Sequence, residues 1–123
     1  MSTHRETWQT YMSLWGPLST AERQAGVQEA LHPNCEYRDP RTTTTGIDDL
    51  VTYMEHYQQE FPGSTIEMRY FLSHNDRCTV RWEIEDPERN VVMDGTSYGE
   101  FDPEGKIVTM CGFYEMPEPA EVG

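Results

Sequence analysis

The sequence predicts an α+β fold, with helices in the first half of the chain and strands in the second. Three segments before residue 62 carry apolar residues at helical spacing, whereas the segments after residue 64 alternate apolar and polar residues with a period of two. Helices followed by strands are typical of the α+β class, and the short turns between consecutive strands favour antiparallel pairing. The chain length fits one domain, 1–123, whose Pro- and Glu-rich tail 116–123 we expect to fray.

The first predicted helix opens with a capping box, Thr3-x-x-Glu6, in which each side chain bonds the other residue's backbone. Apolar residues then recur at i, i+3, i+4 and i+7, which gives the helix one buried stripe. This stripe contains Trp8, Tyr11, Met12 and Trp15. The pair Gly16-Pro17 ends the helix.

Two more helices are predicted before the strands begin. Ser19 and Glu22 form a second capping box, and residues 32–34 (His-Pro-Asn) close that helix. The third helix follows Gly46 and carries acidic residues in its first turn, where the helix dipole favours them. Its buried side is supplied by Leu50, Val51, Met54, Tyr57 and Phe61.

Four strands are predicted over residues 66–72, 79–84, 91–101 and 106–115, joined by short turns. In the first of them we expect one face to carry Ile66, Met68, Tyr70 and Leu72. Gly95 and Gly99 interrupt the third, and glycines inside a strand mark bends or the close approach of another group. Before the third helix, residues 35–39 run extended, because the residue before Pro40 is pushed away from helical geometry. The threonine run 42–45 reads as exposed or strand-like.

The charge of the chain excludes some classes of partner. The sequence has 22 acidic and 9 basic residues, a formal charge of -13, which repels nucleic-acid phosphates and anionic membranes. We therefore expect neither nucleic acid nor membrane as a partner, and no stretch has the apolar length of a signal peptide or a membrane span. The wide spacing of Cys35, Cys78 and Cys111 fits no zinc or redox motif, so we expect free thiols and a cytoplasmic location.

Several landmarks of the chain recur together in one known superfamily. They are Tyr37-x-Asp39-Pro40, Gly46, Phe61-Pro62-Gly63, Trp82, and Gly105-Lys106-Ile107 leading to Gly112-Phe113-Tyr114. With these landmarks the chain resembles the NTF2-like superfamily over roughly residues 8–115, and looks closest to the SnoaL-like polyketide cyclases and ketosteroid isomerases. The resemblance implies a cone, with three N-terminal helices packed in a strongly curved antiparallel sheet around a cavity, and a homodimer.

The resemblance also implies roles for individual residues. Asp39 matches the general base that moves a proton beside a carbonyl, and Tyr11 is the nearest match to the phenol that bonds the enolate oxygen. Ser97 stands where the family has a second donor, a protonated Asp. The family's supporting Tyr on the third helix falls on Met54, and we assign Tyr37 a structural role. The expected pocket positions are Trp15, Tyr57, Val80, Trp82, Ile84, Ser97, Phe101, Met110 and Tyr114.

The residue types support this chemistry without requiring it. A carboxylate held over an apolar pocket is a better proton acceptor than an exposed one, and proton removal beside a carbonyl needs such a base and a donor at the developing oxyanion. An Asp before a turn, however, equally often bonds its own loop, and Tyr11 fits the apolar stripe of its helix equally well as a core residue.

The sequence therefore predicts a small-molecule enzyme that isomerises, cyclises or dehydrates an apolar carbonyl compound, with no cofactor or metal implied. One alternative is a non-catalytic ligand-binding or dimerisation module of the same fold. Another is an epoxide hydrolase of the limonene type, which needs Arg and Asp on a middle strand and Asp on the last strand. Arg81 and Glu83 are the candidates for the first two, but their alternation with Trp82 points them outward, and Gly112 stands at the third position.

Overall fold

A computed structural model describes residues 3–115, so the predicted fraying of 116–123 lies outside the described residues. Both predicted capping boxes form, with Thr3 and Ser19 as the N-caps. The three predicted helices and four predicted strands form, and two further strands lie between the second and third helices: α1 (His4–Ser13), α2 (Thr20–Ala30), β1 (Leu31–Asp39), β2 (Thr42–Thr45), α3 (Ile47–Glu60), β3 (Thr65–His74), β4 (Arg77–Glu85), β5 (Val91–Phe101) and β6 (Ile107–Phe113). The predicted α+β class is confirmed.

The sheet has six strands in the order β2-β1-β6-β5-β4-β3, which corrects the predicted four. The extended segment before α3 is a full strand, and the threonine run pairs with it as β2. The sheet is also mixed, because β1 runs parallel to β6, whereas every other pairing is antiparallel. The long excursion through β2, α3, β3, β4 and β5 between β1 and β6 is the kind of connection that a parallel pair requires.

The prediction that residues 32–34 form a loop closing α2 was wrong, because these residues lie inside β1. Helix α2 ends at Ala30, and the backbone of Leu31 is already extended. Pro33 has no backbone N–H to donate to a neighbouring strand. The pairing of β1 with β6 is irregular between Leu31 and Glu36, the stretch that contains this proline. A proline beside a helix end is thus compatible with a strand that starts at once, provided that the ladder is interrupted there.

The two faces of the sheet differ in burial. Val80, Ser97 and Gly112 face one another on β4, β5 and β6 and are all buried, which defines the inner face, against which the helices pack. The paired residues directly beside these three on the same strands point to the outer face. Among them, Phe113 of β6 is 59% exposed. In β3 the alternation breaks at an irregularity between Met68 and Tyr70.

This irregularity corrects the predicted facing of the second half of β3. Tyr70 and Leu72 were expected to share the face of Ile66, but they are 44% and 62% exposed and lie on the outer face. Phe71 instead packs against the core. A bulge inserts one extra residue on one strand, so every side chain beyond it changes face, and the sequence alone does not show where the extra residue falls.

Close approach explains the glycines of β5, as predicted. A Cβ on Gly99 would overlap the indole ring of Trp8, and one on Gly95 would overlap that of Trp82. The core behind them is built around Trp8, which is fully buried. None of the helices within residues 3–115 is long and apolar enough to cross a membrane.

Candidate active site

Asp39, the last residue of β1, holds its carboxylate in a complete set of hydrogen bonds. Oδ2 accepts from the hydroxyls of Tyr37 at 2.5 Å and Tyr53 at 3.0 Å. Oδ1 accepts from the backbone N–H groups of Arg41 at 2.7 Å and Thr42 at 3.0 Å. The two amide bonds form because the chain turns back at Pro40 into β2, so the loop bonding predicted as one alternative for Asp39 does occur. All four donors are neutral groups, and the carboxylate they hold lines a cavity.

The phenols on Asp39 stay protonated. Burial raises the pKa of the Tyr37 and Tyr53 hydroxyls well above their ordinary value, and the negative charge of Asp39 raises both further. Burial and then the same charge raise the pKa of Tyr114 to about 12. These hydroxyls therefore act as hydrogen-bond donors over the physiological pH range and cannot serve as bases.

Trp15 is the centre of the aromatic wall beside Asp39. The ring centroid of Tyr37 lies 5.4 Å from that of Trp15, and the rings of Tyr53 and Tyr57 meet it edge-on at 5.8 and 5.7 Å. The backbone around Trp15 is fixed, because the buried Arg23 donates to the carbonyl oxygens of Leu14 and Gly16 on either side. The cavity wall is thus rigid and apolar next to the carboxylate.

Gly112 leaves an open space between Asp39 and Ser97. A Cβ built on it would lie 3.8 Å from Asp39 Cβ, 3.8 Å from Ser97 Oγ and 3.9 Å from the Tyr37 hydroxyl, so three polar side chains converge there. The Trp82 indole N–H donates to Ser97 Oγ at 3.0 Å. The bond from Trp82 uses one lone pair of Ser97 Oγ, and the hydroxyl proton of Ser97 can be donated to a ligand oxygen in the cavity.

The predicted site residues divide into two groups. Asp39, Tyr11 and six of the nine expected pocket residues line one cavity: Trp15, Tyr57, Trp82, Ile84, Ser97 and Tyr114. The other three were assigned wrongly, because Val80, Phe101 and Met110 do not line it; they are 0%, 6% and 1% exposed in the core. They do lie on the inner face, but α1 covers that part of the sheet, and Trp8 of α1 meets Phe101 edge-on at 6.3 Å.

Tyr11 is a buried member of the cavity wall. It is 3% exposed, and burial raises the pKa of its hydroxyl strongly, with the charge of Asp39 adding to the effect. It therefore keeps a proton that it can donate. Its ring also packs edge-on against Trp8 at 4.9 Å, so Tyr11 combines the core role and the cavity role that the sequence left open.

Sequence reasoning missed the two phenols that bond Asp39. Tyr37 was assigned a structural role, although it stands two residues before Asp39 and so shares its face of the strand. Tyr53 was set aside because the resemblance pointed to Met54, yet it lies three residues after Leu50 and four before Tyr57, on the inner stripe of α3. Strand alternation and helix spacing were therefore the signals that could have found both.

The cavity is small. Its volume is about 60 Å³, above the roughly 10–15 Å³ that a cavity needs to hold one water molecule but no more than the liquid volume of about two. Among its lining residues Arg41 is exposed and Tyr53 and Tyr114 are partly exposed, whereas Trp15 and Trp82 are buried. A ligand of one ring fits such a space better than a fused ring system. Within residues 3–115 no group of three or more His, Cys, Asp or Glu is placed to hold a metal ion.

The family profile of the SnoaL-like domain matches residues 8–110. The chain belongs to the SnoaL-like family. No protein of curated function matches the sequence significantly. The match covers every cavity residue except Gly112 and Tyr114, so the fold and nearly all of the cavity lie within the family's domain.

Solved structures place this SnoaL-like chain among NTF2-like folds. A SnoaL-like protein from Agrobacterium tumefaciens strain C58, provisionally named an isomerase, is 26% identical with a TM-score of 0.85, covering 94% of this chain and 100% of that one. A provisionally named polyketide cyclase from Jannaschia sp. CCS1 is 14% identical with a TM-score of 0.74, covering 91% and 85%. A de novo designed protein with a curved β-sheet is also 14% identical, with a TM-score of 0.72 and coverage of 94% and 88%.

Proposed function

We propose that this SnoaL-like protein is a small-molecule enzyme in which Asp39 is the general base. The observation that carries the proposal is the carboxylate of Asp39, which lines the cavity and is held there by two phenol hydroxyls and two backbone N–H groups. The reaction is an isomerisation, cyclisation or dehydration of an apolar carbonyl compound. The similarity to a provisionally named isomerase with nearly the same chain length supports this class of reaction.

The hydrogen bonds of Asp39 indicate which oxygen takes the proton. Oδ1 is bonded by two backbone N–H groups, which cannot rotate away, whereas Oδ2 is bonded by two hydroxyls, which can. The proton on the carbon next to the carbonyl moves to Oδ2, the electron pair of that C–H bond forms the C=C bond of the enolate, and the π pair of the carbonyl moves to its oxygen. Ser97 and Tyr11 are the donors for that oxygen.

The enolate then determines the product. Return of the proton from Asp39 to a different carbon completes an isomerisation. Attack of the enolate carbon on a second carbonyl of the same molecule closes a ring, and the alkoxide so formed takes the proton from Asp39. In a dehydration, the hydroxyl on the carbon next to the enolate carbon takes that proton and leaves as water, while the enolate electrons form the new C=C bond. Each route returns Asp39 to its charged form, so none consumes a cofactor.

A non-catalytic binding module is the second candidate, and one observation favours it. The two oxygens of a carboxylate offer about four lone-pair sites, and all four are occupied in Asp39. Such an aspartate is suited to fixing the turn between β1 and β2. The similarity of the designed protein shows that the fold forms without selection for an activity.

The epoxide hydrolase reading finds little support in the cavity. Arg81 bonds Asp94 at 2.9 Å and Glu83 bonds Arg69 at 2.8 Å, and neither Arg81 nor Glu83 is a cavity residue. Gly112, at the position where that reaction needs a third carboxylate, has no side chain to offer.

The test is the binding of phenol and small substituted phenols to the wild type and to Asp39→Asn, measured by calorimetry. A phenolate mimics the enolate, so removal of the Asp39 charge is expected to tighten binding by about tenfold or more through lost repulsion. Glu85→Gln removes a charge outside the cavity and serves as the control. Equal phenol affinity in wild type and Asp39→Asn would reject Asp39 as the base and favour the binding module.

We also propose that the protein is a homodimer that associates through the outer face of the sheet. Three large apolar or aromatic side chains are exposed there: Tyr70, Leu72 and Phe113, at 44%, 62% and 59%. Light scattering after gel filtration is expected to give twice the chain mass for the wild type, and Phe113→Glu is expected to shift it toward the monomer. A monomeric wild type at micromolar concentration would reject the proposal.

A cytoplasmic location completes the proposal. Cys35, Cys78 and Cys111 are all free thiols, and burial raises the pKa of Cys35 to about 11 and that of Cys78 to about 12. Thiols in this state are typical of a reducing compartment. Fractionation of cells that express the protein at native level is expected to find it in the cytosolic fraction, and enrichment in a secreted fraction would contradict this.

A further inference from the structure

Arg41 is the one cation among the residues that line the cavity within the described part of the chain. Its backbone N–H bonds Asp39 Oδ1 at 2.7 Å, so the guanidinium extends from the same turn that positions the carboxylate. The side chain is 41% exposed, which places it at the rim where the cavity meets solvent. The cavity is thus lined by a partly buried carboxylate, Asp39, and by a more exposed guanidinium, Arg41.

The present partner of Arg41 shows which kind of group it binds. Both terminal nitrogens donate to the two carboxylate oxygens of Glu60, at 3.1 and 3.5 Å. This is the forked arrangement in which arginine binds carboxylates. The pair is exposed on both sides, 41% for Arg41 and 49% for Glu60, and exposed pairs contribute little to stability. Another carboxylate can therefore replace Glu60 at small cost.

Two phenols lie close enough to assist at the same place. The charge of Arg41 acts on the hydroxyls of Tyr53 and Tyr114, lowering their pKa slightly against the larger effect of burial. Both hydroxyls remain protonated and line the cavity. A carboxylate seated on Arg41 could accept from Tyr114 as well, while the apolar body of the ligand lies deeper against Trp15 and Trp82.

We propose that the ligand of this cavity is a small ring compound that carries a carboxylate, which Arg41 binds at the rim in place of Glu60. This inference deepens the proposed function and rests on it only for the location of the site. It narrows the ligand from any apolar carbonyl compound to an acid whose charged end points outward. Selectivity for one carboxylate over a phosphate follows from the single guanidinium and from the nearby charge of Asp39, which disfavours a doubly charged group.

The probes are 3- and 4-hydroxybenzoate, with the two corresponding hydroxybenzamides as neutral ligands of the same shape. Affinities are measured by calorimetry for the wild type and three variants: Arg41→Gln, Arg38→Gln and Glu60→Gln. Arg38 is the matched control, since it lies near the end of β1, three residues before Arg41, is 53% exposed, pairs with Glu36 at 3.3 Å and does not line the cavity. The two arginine variants have equal net charge, so the long-range field changes alike in both.

The wild type is expected to bind one of the benzoates at least tenfold more tightly than its benzamide. Arg41→Gln is expected to remove that difference, Arg38→Gln to preserve it, and Glu60→Gln to tighten benzoate binding, because the competing carboxylate is gone. Equal affinity for benzoate and benzamide in the wild type, equal effects of the two arginine variants, or no benzoate binding at millimolar concentration would overturn the inference. In each of these cases the response of phenol binding to Asp39→Asn still decides the proposed function separately.

Discussion

Asp39 and Glu85 are two carboxylates that the protein removes from bulk water in different ways. Glu85, at the end of β4, is 6% exposed and is bonded by two guanidinium groups, Arg69 at 2.9 Å and Arg89 at 2.8 Å. Asp39 is bonded by two phenols and two backbone amides. Glu85 is therefore bonded by two cations, whereas the four donors that bond Asp39 are neutral groups.

The difference indicates which carboxylate is available for chemistry. A carboxylate paired with two cations is a poor proton acceptor, because each cation stabilises the charged form that a base must give up. Neutral donors stabilise that form less and, where they are hydroxyls, can rotate. Only Asp39 also faces a cavity. Burial of a carboxylate is thus a weak signal of function by itself, and the nature of its partners is the stronger one.

The largest expected effect is on catalysis by Asp39→Asn. The measured reaction is exchange of the α-hydrogens of small cyclic ketones with D2O, followed by NMR. If Asp39 is the base, the variant is expected to lose about 10²–10⁴-fold in rate. Its fold is expected to persist, because the new NH2 group can face Tyr37 and Tyr53, whose hydroxyl oxygens can accept as well as donate. A folded variant that exchanges as fast as the wild type would show that Asp39, like Glu85, is structural.

Glu85→Gln tests the other side of the comparison. The substitution removes two charge-assisted hydrogen bonds, and we expect a loss of about 1–3 kcal/mol in the free energy of unfolding, measured by urea titration. Arg69 and Arg89 are 45% and 79% exposed, so the freed cations return to water and the loss should not be larger. Phenol binding and hydrogen exchange are expected to stay unchanged. A loss of phenol binding or of hydrogen exchange in this variant would show that the site also depends on the outer face of the sheet.

Gly112→Ala tests the space beside Asp39. The added methyl would meet its nearest neighbours at 3.8–3.9 Å, which is ordinary contact, so the melting temperature should hardly change. Because the methyl occupies the space between Asp39 and Ser97, the rate of hydrogen exchange is expected to fall by about tenfold. Gly99→Ala is the matched control: its methyl would overlap the Trp8 ring and should lower stability by about 1–3 kcal/mol or more through overpacking. Full activity in Gly112→Ala would place the reacting atoms elsewhere.

Local rules predicted most of the fold. The capping boxes at Thr3 and Ser19 and the turn residues at Pro62-Gly63 placed the helices. What they could not give was the pairing of β1 with β6, which joins segments about 70 residues apart and depends on the whole topology. The facing of Tyr70 was missed for a related reason, since a bulge has no local sequence signature in β3.

The place of Asp39 in the candidate site was predicted from the sequence, whereas several of the residues around it were not. Asp39 could be found because the residue before Pro40 has a restricted backbone, and strand alternation placed Trp82 on the inner face. The bond from Tyr53 to Asp39 joins α3 to β1, and its formation depends on the angle between helix and sheet, which no local pattern encodes. Alternation also assigns a residue to the inner face without saying whether a helix covers it, which is why Met110 was mistaken for a cavity residue.

The phenols that hold Asp39 give the smallest expected effect, on stability in alkaline solution. Burial raises the pKa of Tyr37 above the ordinary value of about 10, and the neighbouring Tyr11 and Asp39 raise it further. The stabilisation from this raised pKa is fully present below pH 10 and is lost as pH rises further, because the unfolded chain then releases a proton that the folded protein retains. Between pH 9.5 and 10.5 one such group changes the free energy of unfolding by about 0.7 kcal/mol. Tyr37→Phe is expected to reduce the pH slope by this amount in urea titrations, whatever its stability at neutral pH, and an unchanged slope would mean that Tyr37 ionises as easily in the folded protein as in the unfolded chain.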